Sequence, residues 1–229
     1  MDVARRLSEI EQRISAAAAR SGRSPAAIRL IGASKQQPLA ALREAYAGGL
    51  RRFGENRVQE GLAKAAELPD DVEWHLLGPL QSNKVRAALK RFRFFHAIDR
   101  PAIALALDSE AARQGLVATG LIEVNLGDEP SKHGFAPAGL AEAVAPLAAL
   151  AHLRLEGLMA IPPPGPTPEA ARPWFRRLRE LRDALGERPE WRARPFAGEL
   201  SMGMSDDFEV AIAEGATFVR LGTRLFGPR

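Results

Sequence analysis

Short apolar runs alternate along this chain with longer segments in which apolar residues recur every three or four positions. The short runs are typical of buried strands, whereas the longer spacing is typical of amphipathic helices. The pattern predicts eight strands, at residues 29–35, 52–56, 73–78, 94–99, 121–126, 153–161, 199–204 and 218–223.

Predicted helices separate these strands, and an additional one precedes the first strand, with Val3, Leu7, Ile10 and Ile14 at helical spacing. The helical segments are at residues 2–21, 38–49, 57–67, 80–91, 101–115, 136–150, 168–186 and 206–215.

Strict alternation of strands and helices indicates parallel strands joined by right-handed crossovers. Eight such strands predict an α/β fold, a single (β/α)8 TIM barrel domain over residues 1–229, with a doubly wound open sheet as the alternative. Residues 224–229 are too few for an eighth outer helix, so we expect the N-terminal helix to cover that side.

Composition narrows the function classes. With 46% hydrophobic and 26% charged residues, the chain resembles ordinary soluble globular proteins. It has no cysteine, which excludes disulfides and thiolate metal sites, and its four histidines are too far apart for a short metal motif, so we expect no metal. The first 21 residues are unlike a secretory signal, and no apolar run approaches the length of a membrane span, so we predict a cytoplasmic protein.

Basic residues are concentrated in residues 84–93 and 172–194, within a total of 32 Lys and Arg against 28 Asp and Glu. These stretches are either an electrostatic surface for phosphates or nucleic acid, or solvated helix faces. Because no nucleic-acid-binding module is visible, we favour solvated helix faces.

Lys35 is the leading candidate for chemistry. It ends an apolar run, Arg29-Leu-Ile-Gly-Ala-Ser34, and precedes the turn-like Gln36-Gln37-Pro38. A lysine at the C-terminal end of a buried strand faces the ligand-binding end of an α/β fold, where partial desolvation makes its amine more nucleophilic. This is the environment of a Schiff-base lysine, although a lysine at a strand end is more often a surface residue.

The ends of the seventh and eighth strands predict a phosphate site. In barrels, the loops after these strands often hold a phosphate. Here Gly203 allows close backbone approach, Met204 and Ser205 open a predicted helix, and Gly222 and Thr223 end the eighth strand. Alternatively, Ser205 only caps the helix. The adjacent Asp206 and Asp207 would repel a phosphate unless they point away.

Other polar residues fall at strand positions where a ligand would bind. Arg220 lies in an apolar strand and needs an acceptor, either a pyridine nitrogen or a carboxylate such as Glu199. Asn56 and Asn125 end strands and could bond a ligand hydroxyl or close an Asx turn. We interpret His75 as a hydrogen-bonded core histidine.

Two further segments are expected on the same end of the barrel. Gln81-Ser-Asn-Lys84 is typical of a helix N-terminus. The proline-rich segment 162–168 follows the sixth strand and is more typical of a stiff connector than of a recognition motif.

Five motifs together resemble the pyridoxal phosphate homeostasis family, also described as alanine-racemase-like N-terminal domain proteins. They are Phe53-Gly-Glu-Asn56 with Val58-Gln-Glu60, Trp74-His-Leu-Leu-Gly-Pro-Leu-Gln-Ser-Asn-Lys84, Gly157-Leu-Met-Ala-Ile161, Ser201-Met-Gly-Met-Ser-Asp-Asp207 and Val219-Arg-Leu-Gly-Thr223. The resemblance extends from about residue 5 to Gly227.

This resemblance implies a barrel that binds the vitamin B6 cofactor pyridoxal 5'-phosphate (PLP) as a Schiff base, and it implies a role for several residues. Lys35 matches the Schiff-base lysine, and Arg220 matches the arginine facing the pyridine nitrogen. The phosphate contacts match Ser205, Gly222 and Thr223 with the backbone of Met204, and the ring-lining positions match Asn56 and Met159. Arg57 departs from the family pattern, in which many members have tyrosine.

The resemblance also implies intracellular PLP homeostasis, as carrier or buffer, with apo PLP-dependent enzymes as candidate recipients. An amino-acid racemase is the alternative, but racemisation needs bases on both faces of the substrate. Related racemases take the second base from a tyrosine on a C-terminal β-domain, which we expect to be missing here, and Tyr46 is the only tyrosine. We therefore predict a PLP-binding protein without turnover, most simply a monomer.

Two other function classes fit fewer of these features. A cofactor-free Schiff-base lyase would use Lys35 but leave the phosphate-binding loops and Arg220 without a shared role. A nucleic-acid-binding module would rest on the basic helices alone, and strong salt dependence of binding would identify it.

Overall fold

A computed structural model describes residues 2–127, 133–192 and 196–228. Eight parallel strands, β1 to β8, form a closed barrel in chain order. They are β1 Arg29–Ala33, β2 Arg52–Glu55, β3 Glu73–Leu76, β4 Phe92–Ile98, β5 Ala118–Glu123, β6 Leu153–Met159, β7 Glu199–Ser201 and β8 Phe218–Leu221.

The described part of the chain forms helices of unequal length. They are α1 Val3–Arg20, α2 Leu39–Ala47, α3 Val58–Ala65, α4 Val85–Ala88, α5 Pro101–Arg113, α6 Leu140–Val144, α7 Arg172–Gly186, α8 Pro189–Arg192, α9 Phe208–Ala213 and α10 Thr223–Phe226. Short 3-10 turns lie at Pro25–Ala27, Ser82–Lys84, Ala145–Ala149 and Pro168–Ala171.

The predicted (β/α)8 barrel is confirmed, because β1 pairs in parallel with β8 as well as with β2. This closure is incompatible with the open doubly wound sheet. Each predicted strand matches an observed one, but most predicted strands end two or three residues too late. At the end of β1, for example, the apolar run continues through Ser34, whose amide still donates to Gly54 O of β2, although the strand ends at Ala33.

Helix α1 covers the side of the barrel where the sequence lacks a full eighth outer helix. Its buried residues Val3, Leu7, Ile10 and Ile14 face α2, α9 and α10. The predicted role of this helix is therefore confirmed. Residues 224–229 form no full eighth outer helix within the described part of the chain, since α10 is only a single turn after β8.

The barrel has a large apolar layer under its helices and a small apolar cluster inside. The inner cluster consists of Ile31, Ala97, Leu121, Met159 and Phe218. Because side chains alternate along a strand, Lys35 lies on the same side of the chain as Ile31. Met159 is adjacent in register to Glu123 and Ser201 on the neighbouring strands, so those residues also lie on this face.

The basic stretch 172–194 is extensively paired with acids. Arg172, Arg176 and Arg179 of α7 all contact the carboxylate of Glu214, which is buried. Arg194 lies outside the described residues. Arginines that share one buried carboxylate stabilise packing, which agrees with the interpretation of this stretch as a helix face.

No helix within the described ranges is long and apolar enough to cross a membrane.

Candidate functional site

The sequence-predicted site residues meet at the C-terminal end of the barrel. Lys35 follows β1, Asn56 follows β2, and Asn125 follows β5. Met159 ends β6 and is fully buried, whereas Lys35, Asn56 and Asn125 are half-buried. Since parallel strands end on one face, the barrel brings these residues to a single mouth.

The backbone on both sides of Lys35 is held by side chains. The Ser34 hydroxyl donates to Glu55 Oε1 at 2.6 Å. The Gln36 amide donates to Glu60 Oε1 at 2.6 Å, and Gln36 has a φ of 59°, an uncommon left-handed conformation for a residue with a Cβ. These contacts fix the direction in which the chain leaves β1, and hence the position of Lys35.

Lys64 joins these two contacts into one network. Its ammonium donates to Ser34 O at 2.6 Å, to Glu55 Oε1 at 2.8 Å and to Glu60 Oε1 at 2.7 Å. An ammonium has three protons, so all of them are used here. Lys64 is therefore a positioning cation rather than a nucleophile.

Arg220 is buried at the mouth with neutral acceptors. Its guanidinium donates to Ser201 Oγ at 2.5 Å and to Ala160 O at 3.2 Å. Burial lowers the pKa of Arg220 to about 10, which leaves it charged at neutral pH. Glu199, the carboxylate considered from sequence, pairs instead with Arg29. Two of the five guanidinium N–H groups are used by these bonds, and a ligand could accept from others.

Glu123, at the end of β5, is a second unusual charge at the mouth. Its Oε2 is buried and has no hydrogen-bond partner among residues 2–127, 133–192 and 196–228. Burial, reinforced by the charge of Asp99, raises the pKa of Glu123 to about 7, against the opposing effects of His133 and Arg220. Sequence reasoning missed Glu123, although a lone carboxylate in an apolar strand was a usable signal.

The loops after β7 and β8 come together as predicted for a phosphate site. The Arg224 amide donates to Ser205 Oγ at 3.3 Å, and Arg224 Nε donates to Ser205 O at 2.7 Å. Ser205 therefore bridges two loops and does not simply cap its own helix, which begins later than predicted, at Phe208. Gly222 and Thr223 lie where α10 begins, beside this bridge.

The two aspartates of this segment have different surroundings. The Asp206 side chain is 94% exposed, and its carboxylate lies 3.9 Å from the guanidinium of Arg224. Asp207 Oδ1 instead accepts from the Met204 amide at 2.6 Å. The backbone N–H of Met204 is thus engaged by Asp207, and in this conformation it is not available as the predicted phosphate donor.

Two cavities flank the mouth. One, of about 670 Å³, lies between the proline-rich segment 162–168 and residues Met204, Asp207 and Arg224, which confirms the predicted location of that segment. The other, of about 640 Å³, is lined by Asn56, Arg57, Lys84 and Arg100 among others. The predicted helix at 80–91 is reduced there to a 3-10 turn and one helical turn.

His75 and His96 form a buried pair inside the barrel, with His75 Nδ1 and His96 Nε2 3.0 Å apart. The interpretation of His75 as a bonded core histidine is confirmed. Distance in sequence concealed the pairing, because parallel strands β3 and β4 bring together residues 21 positions apart. Within the described ranges no three His, Asp, Glu or Cys residues are arranged to hold a metal ion.

Comparison with known proteins identifies the family of this chain, with matches that extend over nearly all of its residues. The family model described as "Alanine racemase, N-terminal domain" matches residues 6–229. The chain is 46% identical to the "Pyridoxal phosphate homeostasis protein" of Aquifex aeolicus, covering 100% of this chain and 99% of the relative.

Solved structures agree with this match. PipY of Synechococcus elongatus, solved with PLP bound, is 40% identical, covers 99% of this chain and 100% of its own, and superposes with a TM-score of 0.84. Alanine racemase of Corynebacterium glutamicum shares the fold at 17% identity and a TM-score of 0.69, with 97% of this chain and 62% of that chain covered. The chain therefore belongs to the pyridoxal phosphate homeostasis protein family, whose barrel is that of the alanine racemase N-terminal domain.

Proposed function

We propose that this protein holds PLP as a Schiff base on Lys35 and acts in intracellular PLP homeostasis, as a carrier or buffer rather than a catalyst. The observation that carries the proposal is Arg220, a buried cation at the barrel mouth whose acceptors within the described part of the chain are neutral. The names of the relatives and the PLP-bound PipY structure support the same ligand.

The residues at the mouth fit the parts of PLP. Arg220 suits the ring nitrogen, because a cation there keeps that nitrogen unprotonated. The loops bridged by Ser205 and Arg224, with Gly222 and Thr223, suit the phosphate. Gly222 also packs closely, since a Cβ there would lie 3.2 Å from Ala33 O. Asn56, Met159 and Met204 complete the proposed site, Met204 through rearrangement of its amide or through its side chain.

Bound PLP supplies an aldehyde that a lysine can attack and a ring that withdraws electrons. The protein's contribution is to present Lys35 from a loop fixed by Ser34, Gln36 and Lys64. Because Lys64 is fully hydrogen-bonded, it does not compete for the aldehyde. We further propose one barrel domain over residues 1–229, a monomer located in the cytoplasm, with apo PLP-dependent enzymes as recipients.

The test is reduction by borohydride after incubation with PLP, followed by mass spectrometry of the peptides. We expect a visible absorbance that reduction removes, and a pyridoxyl adduct on Lys35. The Lys35→Ala variant should lose this adduct but retain weak, reversible PLP binding. Lys84→Ala is the matched control, since Lys84 lines the adjacent cavity and is the next candidate amine. An adduct that persists in Lys35→Ala would reject the assignment.

A weak PLP enzyme, such as an amino-acid racemase, is the second candidate, and Glu123 is the observation in its favour. A carboxyl with a pKa of about 7 at the mouth suits a general base. Tyr46 does not supply the second base, because its hydroxyl donates to Asp71 at 2.7 Å from the outer helix α2.

Exchange of the α-proton of L-alanine in D₂O separates the two functions. The carrier predicts no deuterium incorporation above that of free PLP, together with release of PLP that reactivates an apo PLP-dependent enzyme. Incorporation that depends on Lys35 and is lost in Glu123→Gln would favour the enzyme.

A further inference from the structure

A chain of hydrogen bonds runs inside the barrel from Arg220 toward its opposite end. Arg220 donates to Ser201 Oγ at 2.5 Å, and Ser201 Oγ lies 2.8 Å from His96 Nδ1. His96 Nε2 lies 3.0 Å from His75 Nδ1, and His75 Nε2 is 3.9 Å from Glu73 Oε2. Four side chains from β8, β7, β4 and β3 are thus hydrogen-bonded in series, and Glu73 lies beyond the last of them at the N-terminal end.

The chemistry of Arg220 fixes the direction of this chain. A guanidinium has only donors, so Ser201 Oγ must accept from it. His96 Nδ1 is then the acceptor for the hydroxyl proton, because no other acceptor for it occurs in the described part of the protein. His96 consequently carries its proton on Nε2 and donates to His75 Nδ1, which leaves the His75 proton on Nε2, facing Glu73.

The surroundings keep both imidazoles neutral. His75 and His96 are buried against the rings of Phe94 and Phe218, with centroid separations of 5.0 to 5.8 Å. Burial lowers the pKa of both histidines, and the charge of Arg220 adds to this for His96. A second proton on His75 would place two N–H groups against each other, and a second proton on His96 would remove the acceptor for the Ser201 hydroxyl.

Arg220 has competing attractions at the mouth. The carboxyls of Asp207 and Glu123 both act on its charge, yet Arg220 forms no ion pair with either. Its observed hydrogen bonds go to Ser201 and Ala160 instead. The bond to the Ser201 hydroxyl therefore opposes the electrostatic attraction of the two carboxyls for the guanidinium.

We propose that Ser201 and His96 are positioning residues for Arg220. Neutral His96 accepts a hydrogen bond from the Ser201 hydroxyl, which turns the Ser201 lone pairs toward the guanidinium and holds Arg220 away from Glu123. The part of this inference that concerns PLP rests on the proposed function, because it states how Arg220 is held in position for the ring nitrogen. The hydrogen-bonded chain itself is a property of the protein without PLP.

The first experiment uses the apo-protein and is independent of PLP. Histidine ¹⁵N NMR at neutral pH should show His96 neutral, with its proton on Nε2. The Ser201→Ala variant should release Arg220 toward Glu123. An ion pair stabilises the charged carboxylate, so the Glu123 pKa, followed by ¹³C NMR, should fall by about one unit.

Several groups act on Glu123, so the comparison needs controls. Asp99, His133 and Arg220 all affect its titration, and only Arg220 is expected to move. His96→Leu removes the acceptor of the Ser201 hydroxyl and should also lower the Glu123 pKa. This variant tests the proposal even if Ser201→Ala does not fold. Thr217→Val is the matched control, since the Thr217 hydroxyl bonds to Leu200 between the same two strands.

The second experiment measures the absorbance of bound PLP. Ser201→Ala and His96→Leu should bind PLP and shift its visible band in the same direction as Arg220→Gln. A His96 ring protonated on Nδ1, or a Glu123 pKa unchanged in both variants, would overturn the proposal. Failure of wild type to bind PLP would reject the proposed function while leaving the apo-protein result to stand.

Discussion

The two ends of the barrel differ in the pairing of particular charged side chains, although Lys64 forms ion pairs with Glu55 and Glu60 near the mouth. At the N-terminal end, Arg29 pairs with Glu199 and lies over the Phe218 ring at 3.8 Å, and Arg52 pairs with Glu73 at 2.9 Å. At the C-terminal mouth, Glu123 leaves an oxygen without a partner in the described residues, and Arg220 bonds only neutral groups there. Charges that serve stability are paired within the protein, whereas unmatched buried charges indicate where a ligand binds.

Arg29→Gln should give the largest loss of stability. The substitution leaves Glu199, whose side chain is 12% exposed, without its cation. Removing one member of a largely buried pair costs about 3 kcal/mol of unfolding free energy. Urea unfolding measures this loss, and PLP affinity should be unchanged. The Arg29→Gln/Glu199→Gln double variant should recover much of it, and no recovery would show that the pair is not the cause.

Glu123→Gln should raise the free energy of unfolding, in contrast to Arg29→Gln, because the buried carboxylate destabilises the fold. Burial raises the Glu123 pKa from 4.5 to about 7. Between these values the folded protein retains a proton that the unfolded chain has lost, so wild-type stability falls as pH rises from 4.5 toward 7. The Glu123→Gln variant has no titrating group at this position, so it should not lose stability in this way as the pH rises.

We expect the gain in Glu123→Gln to be about 2 kcal/mol at pH 8, after allowance for partial exposure of the carboxyl, and about zero at pH 4. Urea unfolding at both pH values is the measurement. An equal effect at the two pH values would mean that the titration of Glu123 is not responsible.

Arg220→Gln should change stability by only about 1 kcal/mol, because the lost bonds are offset by relief of a buried charge. Its main effect should be on the visible band of bound PLP, measured by absorbance. A collapse of the fold, seen by circular dichroism, would instead favour a purely structural role for Arg220.

Arg52→Gln should have the smallest effect, about 0.5 kcal/mol or less. Its pair with Glu73 resembles the Arg29 pair in location but not in burial, since the Arg52 and Glu73 side chains are 35% and 55% exposed. Urea unfolding alongside Arg29→Gln tests whether burial, rather than position in the barrel, determines the cost. Equal losses in the two variants would contradict this.

The sequence predicted the strands and the mouth well because both depend on local patterns. Apolar runs located all eight strands, and polar residues at the ends of some runs, such as Lys35 and Asn56, marked the mouth. Strand ends were less accurate, since the polar residues that follow the apolar runs, such as Lys35, already lie beyond the strands.

The missing features depend on contacts between distant strands. His96, Ser201 and Glu123 are polar residues within strands, and their surroundings on other strands become visible only when the barrel closes. Asp207 was treated as a charge that would repel a phosphate unless it pointed away, and its bond to the Met204 amide is a turn contact that composition does not reveal. Lys64 was overlooked because its three acceptors come from separate elements.

The packing of α1 also determines when the protein can finish folding during synthesis. This helix is made before the strands of the barrel, yet its partners α9 and α10 are made roughly 190 residues later, at a ribosomal rate of ~5–20 residues per second. Strand β1 likewise waits for β8. The barrel therefore cannot close until β8 has been synthesised, because β1 lacks one of its two neighbouring strands before then.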